Sequence, residues 1–387
     1  MSNNPHICFL SAMHPARDKR VFDKEARSLS NAGFEVTHLC PGTDDQKGYH
    51  DGVEILTYQR PKNILGRLKQ IYVLYQLAKE VDADAYHCNE VDSWGIGVAL
   101  KILRKKKCVF DVHEHYPSTF AESRFPKWSR GFVAGFVRSV FSLFTPFTDN
   151  IVLAKESVSE DFKMAGDKKV LVRNYTPKAS LTLSNNARPT LKAKTDGFTL
   201  IHLGLFNKLR GWPQALEALT LLDNPKVTLK VIGEINDGTH DEFLTQCEVL
   251  NLTSQVEVLD WMPFAQAFEH LQKADIGLIL FQPNTLNHVY AMPHKMFDYM
   301  AAEIAVILPD FAVEVAPIVK DTQCGLLVDP SSPKDIAEKI QIMISDPEAL
   351  QAFGQKGKAA VQDRYNWEAE VERLINMYKK MFTGEAL

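Results

Sequence analysis

The 387-residue chain has few cysteines, little net charge and no long apolar run, and each absence removes a class of function. Its six cysteines are Cys8, Cys40, Cys88, Cys108, Cys247 and Cys324, no two within four residues, so a zinc-type pair is excluded. Cys8, Cys40 and Cys108 fall in apolar, strand-like runs and are expected as buried thiols, and the scatter fits a reducing compartment. A net charge of -4 is too small an excess of either sign for a general nucleic-acid binder. The best candidate for a membrane span, Trp128 to Phe147, is broken by Arg130, Arg138 and Pro146. The first residues show no basic segment followed by an apolar one, so no leader is expected and a cytoplasmic location is. Familiar catalytic signatures fail as well. No Gly-x-Ser-x-Gly elbow is present. Gly95-Ile-Gly97 lacks the third glycine of a dinucleotide fingerprint, and Gly354 to Lys358 lacks the Ser or Thr of a phosphate loop. Asp82-Ala-Asp84 imitates a metal-binding Asp-x-Asp, but it stands just before a strand and reads as chance.

What remains is a balanced chain, 45% hydrophobic and 24% charged, long enough for two cores. Short apolar runs alternate with helical patterns from His6 to Arg173, lapse into a polar stretch, then restart at Thr199. Near-continuous apolar strands separated by helices imply parallel sheets covered on both faces. The expected fold class is therefore α/β, with two doubly wound Rossmann-like domains facing across a cleft. The boundaries read as 1–178 for the first domain, 179–197 for a linker and 198–366 for the second. A last amphipathic helix in 367–387 follows after the second core is complete. In such sheets ligands bind at the carboxyl ends of the strands.

The richest segment is Tyr290-Ala-Met-Pro293-His294-Lys295-Met-Phe-Asp298. Pro293 sits where a helix should begin, and the unpaired amides of a first turn, with the helix dipole, attract an anion. Lys295 adds a cation there. Asp298, one turn on, is placed to hold a ribose diol attached to that anion. The alternative is a surface helix with an ordinary Lys–Asp pair. Gly204 to Gly211 joins the second domain's first strand to its helix. Gly204 allows close backbone approach to a ligand, and Asn207, Lys208 and Arg210 follow it, with both cations able to face the same phosphates. In the first domain, His113 stands at the end of a strand in Asp111-Val-His113-Glu-His, placed to touch a sugar hydroxyl or assist proton movement. His87, Asn89 and Glu90 end the preceding strand. The stretch from Met13 to Arg20 could meet an acidic or hydroxylated group.

Residues 101–148 carry nine Lys or Arg against three acids. Within them Trp128, Phe132, Phe136, Phe144 and Phe147 recur at near-helical spacing. The spacing points first to a core-facing helix. Its alternative is a helix lying on an anionic membrane surface, aided by Arg104 to Lys107.

Taken together, these residues resemble family 4 of the glycosyltransferases, retaining enzymes of GT-B architecture. The likeness runs through Asp18-Lys-Arg20-Val-Phe-Asp-Lys-Glu25, Gly204 to Gly211, Asp260-Trp261-Met-Pro263, Pro293 to Ala301 and Cys324 to Pro330. The resemblance implies acceptor binding in the first domain, nucleotide-sugar binding in the second, and a C-terminal helix crossing back to the first. It implies that Arg210 and Lys295 neutralise the diphosphate as catalytic residues, with His113 facing the transferred sugar. Gly233, Glu234, Trp261 and Met262 would lie near the base. One departure is plain: the family's paired acids stand eight apart, and Tyr290 occupies the earlier position.

The expected activity is transfer of a hexose or N-acetylhexosamine, with retention and without metal, from a nucleotide-diphosphate sugar. UDP is preferred over GDP, and the acceptor is a glycan or lipid-linked molecule of cell-surface polysaccharide synthesis. No cofactor beyond that donor and no nucleic-acid partner are expected. Peripheral contact with the inner face of an anionic membrane would run through residues 101–148. The alternatives are a sugar-nucleotide epimerase or hydrolase of the same fold, or a non-catalytic sugar-nucleotide-binding subunit.

Overall fold

The computed structural model describes residues 4–60, 64–183 and 197–384, so most of the expected linker, 184–196, lies outside the described residues. The chain divides into two compact units. One comprises residues up to Asn174 together with those from Trp367 onward, and the other runs Tyr175–Asn366.

The first unit holds strands β1 (His6–Leu10), β2 (Glu35–Pro41), β3 (Gly48–His50), β4 (Val53–Tyr58), β5 (Ala85–Cys88), β6 (Lys107–Val112), β7 (Asn150–Leu153) and β8 (Lys169–Leu171). They lie in the order β3-β4-β2-β1-β5-β6-β7-β8, parallel except for β3 against β4. Chain order reverses between β1 and β5, which opens a crevice at their carboxyl ends. Adjacent residues of β1 point to opposite faces. Cys8 and Leu10 join one core with Trp94 and Phe110, while Ile7 and Phe9 join another with Val21 and Val36.

That second core also takes in Trp367, Leu374 and Tyr378 of the helix Trp367–Thr383. The Glu370 carboxylate on this helix accepts the Arg173 amide at 2.9 Å, and the Trp367 indole donates to the Ser28 hydroxyl at 3.0 Å. This last helix therefore completes the first unit.

In the second unit β9 (Phe198–Leu203), β10 (Val227–Ile232), β11 (Val256–Leu259), β12 (Ile276–Leu278), β13 (Ala305–Pro309) and β14 (Gly325–Val328) form an all-parallel sheet, ordered β11-β10-β9-β12-β13-β14. The reversal here falls between β9 and β12. β13 reads Ala-Val-Ile-Leu-Pro and is buried at every position, as a strand covered on both faces must be. Glu303, after the helix His294–Ala301, adopts φ +61, a left-handed conformation that usually selects glycine. Its carboxylate is paired with Lys358 at 2.9 Å.

The aromatic stretch departs from its first reading. The helix Arg130–Phe144 does bury Phe141, which stacks against Phe162 and sits edge-on to Trp94. Trp128, Phe132 and Phe136, however, are 87%, 89% and 71% exposed. The helix has a second apolar face, and that face meets no core. Among the described residues no helix is long and apolar enough to cross a membrane. All six cysteines are buried and none forms a disulfide.

One packing contact ties the second sheet to its ligand edge. Gly277 in β12 lies flat against the Tyr299 ring, where a Cβ would overlap it. The Tyr299 hydroxyl in turn accepts the Leu203 amide at 2.9 Å, at the end of β9. Gly277→Ala should cost about 1–3 kcal/mol by overpacking. A urea midpoint equal to wild type would refute that tight seat.

Candidate functional site

In the second unit the carboxyl ends of β9 and β10 and the start of the helix His294–Ala301 converge. Gly204 and Gly233 both have positive φ, +87 and +145, and a Cβ at Gly233 would overlap the Gly204 carbonyl. The two turns pass so closely that only glycine fits at 233. A Cβ on Gly204 would stand 3.7 Å from both the Lys295 ammonium nitrogen and the Trp261 ring. The turn after β9, Trp261 and Lys295 thus share one small region. Pro293 caps the helix with no side chain bonded to its first amides. Those amides, the dipole and Lys295 together favour an anion.

The electrostatics point the same way. Burial lowers Lys295 well below the usual lysine range, Arg210 lowers it further, and Asp298 opposes them. Arg210 is half-buried over the Phe281 ring, 5.5 Å from its centroid, and burial lowers it from the usual arginine range. Neither cation is within ion-pair distance of a carboxylate among the described residues. Lys295 instead meets His202 Nε2 at 3.0 Å, and that nitrogen also lies 2.9 Å from the Leu205 carbonyl. An imidazole nitrogen offers either a proton or a lone pair, so it satisfies one neighbour at a time. Burial, then Lys295, holds His202 well below its ordinary value and hence neutral. Sequence reading missed His202, because a histidine at the end of an apolar strand carries no motif.

Two of the expected contact residues already have partners within the unit. Lys208 turns to Glu242, 2.6 Å away, and stands over Trp212, so Arg210 is the loop's cation at Lys295. Asp298 is 3% exposed, with Oδ1 accepting from Thr176 at 2.9 Å and Oδ2 at 2.9 Å from His294 Nδ1. Its carboxylate orients His294, and both of its oxygens have partners within the second unit. Asn207 bonds Asn236 at 3.3 Å, and Glu234 is exposed with its carbonyl accepting the Phe206 amide. Trp261 is largely exposed, and Met262 packs against the core beneath.

A second cluster occupies the β1/β5 crevice of the first unit. Asp111, at the end of β6, lies 2.5 Å from His113 Nε2 and 3.0 Å from the Arg20 guanidinium, which also contacts Glu25 at 2.8 Å. Burial would raise the Asp111 carboxyl, but Arg20 and His113 hold it well below the carboxylate range. His87 donor and acceptor atoms meet Tyr378, Glu25 and Asp111. Glu25, His87 and Asp111 lie close enough to share a metal ion. Arg20 already supplies positive charge among them, so the set reads as a buried ion network, although Glu25 Oε1 and Oε2 and His87 Nε2 make no hydrogen bond. His14, 4.9 Å from the His113 ring, pairs with Asp18 at 3.1 Å. Burial opposes its charge, but Asp18 and Glu90 raise it to about 9. Glu90 accepts the amides of Ala12, Met13 and His14 at 2.8, 2.8 and 3.1 Å, shaping a loop that has no glycine. Its structural weight exceeds what its position suggested.

Beside this loop, Met13, Pro15, Gly42, Thr43, Gln59 and Arg60 line a cavity of about 460 Å³. A larger one of about 730 Å³ lies among Lys107, Asn150, Lys168 and Arg373, at the amino ends of β6 to β8. Ligands of doubly wound sheets bind at the opposite, carboxyl ends, where the chemistry-bearing side chains gather.

Because folding depresses Lys295, the unfolded chain holds more protons between the folded and unfolded values. Stability from this group therefore rises with pH toward about 10.4. Lys295→Met should melt higher without ligand, lose that pH slope, and lose stabilisation by inorganic pyrophosphate. A variant still stabilised by pyrophosphate would contradict the anion site. For His14 and His87 the sign reverses, since both are raised to about 9. Their contribution is complete below about 6.5 and lost as pH climbs through the folded value. NMR titration of the imidazole carbons should show both midpoints near 9. Midpoints at the ordinary histidine value would refute the charged cluster.

The family model for glycosyl transferases group 1 matches residues 184–360, and that for glycosyltransferase family 4 matches 19–174. A D-inositol 3-phosphate glycosyltransferase of Segniliparus rotundus is 27% identical over 48% of this chain and 40% of its own length. The chain thus spans less than half of that curated relative. Among solved structures, a glycosyltransferase of Rickettsia africae matches with a TM-score of 0.75 at 14% identity, over all of both chains. Anabaena HepE in complex with UDP matches at 0.70 and 16%, over 97% of this chain and all of its own. With two Rossmann-like units whose structural neighbours are GT-B enzymes and two family models covering most of its length, the chain belongs to glycosyltransferase family 4.

Proposed function

We propose that this chain moves a hexose or N-acetylhexosamine, with retention and without metal, from a UDP-sugar to a glycan or lipid-linked acceptor in cell-surface polysaccharide synthesis. One observation carries the reading: Arg210 and Lys295 are two half-buried cations, near enough that Arg210 depresses Lys295, and neither is ion-paired to a carboxylate among the described residues, beside the start of the helix His294–Ala301. A diphosphate is the dianionic group that relieves this arrangement. The solved HepE complexes, which hold UDP or UDP-glucose, support UDP as the nucleotide. Trp261, exposed next to Gly204, offers its indole face to the base or ribose.

In this reading charge builds on the leaving diphosphate as the glycosidic bond breaks. Arg210, Lys295 and the helix amides stabilise that charge, each fixed donor contributing about 3 kcal/mol. Two side-chain cations take the role a metal has elsewhere. The departing phosphate oxygen accepts the proton of the incoming hydroxyl, so no strong general base is required. The first unit serves the acceptor. Its Asp111 fixes the His113 imidazole by one nitrogen and leaves the other for a sugar hydroxyl. Work at the inner face of a membrane, in the cytoplasm, completes the proposal.

Arg210→Ala and Lys295→Ala should each lower kcat by about 10²–10³-fold with the fold intact. Turnover from UDP-sugars should survive chelation, and the product anomer should match the donor's. Near-normal turnover in both variants, or an inverted anomer, would overturn the mechanism. Donor consumption with no acceptor present would favour an epimerase or hydrolase. Binding without any turnover would favour a non-catalytic subunit, which the Tyr290 replacement suggests.

A further inference from the structure

His202 is fully buried in β9, where its neighbours in the chain are the core residues Leu200 and Ile201. Its ring stands 4.4 Å from that of Phe206, a place that an apolar side chain fills as well. A buried imidazole carries a desolvation cost that an apolar residue avoids. Its Nε2 lies 3.0 Å from the Lys295 ammonium nitrogen and 2.9 Å from the Leu205 carbonyl. Arg210 Nη1 reaches that same carbonyl at 3.5 Å. A short chain thus joins the two cations, from Lys295 through His202 and the Leu205 carbonyl to Arg210, and it contains no acid.

We propose that His202 is the positioning residue of the anion site: its Nε2 lone pair holds the Lys295 ammonium in place and leaves the charge for a ligand. This rests on the diphosphate reading above. It adds which side chain aims the lysine, and why that side chain is not a carboxylate. An ammonium has three N–H donors. One is directed at His202, and Nζ has no other hydrogen-bond partner among the described residues, so two remain for an anion. The ammonium lies against the turn after β9, where a Cβ on Gly204 would stand 3.7 Å from Nζ, so a group bound at that turn meets it.

Lys208, in the same loop as Arg210, shows the contrast: Glu242 holds it at 2.6 Å and offsets its charge. The acid of Lys295's own helix, Asp298, has one oxygen accepting from Thr176 and the other at His294. Lys295 is therefore held by a group without charge. Burial, then the adjacent ammonium, keeps the imidazole neutral. Only a neutral ring offers Nε2 as an acceptor. When the lone pair goes to Lys295, the Leu205 carbonyl keeps Arg210 as its donor.

The test measures binding of inorganic pyrophosphate to the full chain by calorimetry, with no sugar donor or acceptor. His202→Gln keeps a neutral acceptor near the position of Nε2 and should bind within ~3-fold of wild type. His202→Leu should bind at least ~10-fold more weakly, and so should His202→Glu, which offsets Lys295 and repels the ligand. Affinity should also fall as pH rises and Lys295 loses its proton. Arg210 and Asp298, the charged groups that act on Lys295, are present in every variant, as is the ligand's own titration. Relative to wild type, the fall should come at lower pH in His202→Leu, which removes the ammonium's acceptor. It should come at higher pH in His202→Glu, which adds a counter-charge. A residue serving packing alone would shift both the same way or neither. Gln and Glu differ by a charge and scarcely in shape, so that pair decides the matter even where the Leu variant fails to fold. Equal binding by the Gln and Glu variants, or a folded Leu variant that matches wild type, would overturn the proposal and leave the diphosphate reading standing. Wild type without affinity for pyrophosphate would remove both. A chain that shows every expected shift yet transfers no sugar would sink the transferase reading alone.

Discussion

Two half-buried cations, Arg210 and Lys295, held near each other with only the partial offset of Asp298, are the constraint around which the second unit is organised. Their repulsion and lost hydration are a standing cost in the unliganded protein. The fold sustains that cost through close packing at the sheet edge. Gly204 and Gly233 let two turns cross at the sheet edge, Tyr299 pins the end of β9 to the helix behind it, and Gly277 makes room for that tyrosine. An arrangement so unfavourable when empty gains most when an anion arrives.

The first unit solves the opposite problem. Its buried acids, Glu25 and Asp111, are matched by Arg20 and by two histidines, and the carboxyl end of β6 is locked before any ligand enters. The helix Trp367–Thr383 contributes Tyr378 to this network through His87. The last helix of the chain therefore bears on the placement of His113 by way of three buried side chains, although it lies far from β6 in sequence.

Much of this was legible from residue order. The helix Trp212–Leu222 and the strands Val256–Leu259 and Gly325–Val328 belong to the alternation that restarts at Thr199, because apolar β-branched runs and a helical period leave little choice. β3, Gly48–His50, escaped because a short, polar, antiparallel edge strand shows no apolar run. Faces were harder than elements. Periodicity puts Phe132 and Phe141 on a helix but does not say which one a core will cover. Side-chain commitments were harder still. Asp298 has the right spacing for a ligand contact, yet Thr176, far upstream, already holds one of its oxygens. Lys208 and Arg210 look equivalent in the chain, and only the nearby Glu242 separates them.

The grip of Glu90 on the loop after β1 bears on what the first unit can recognise. Three successive amides there form a concavity that would ordinarily cradle phosphate. In this protein that cradle is filled from within, by the protein's own carboxylate. A phosphorylated acceptor would have to displace a charge bonded to three amides and would meet repulsion on the way in. Under the function proposed above, this edge would favour neutral, hydroxyl-rich acceptors, read by imidazoles and side-chain oxygens rather than by the backbone.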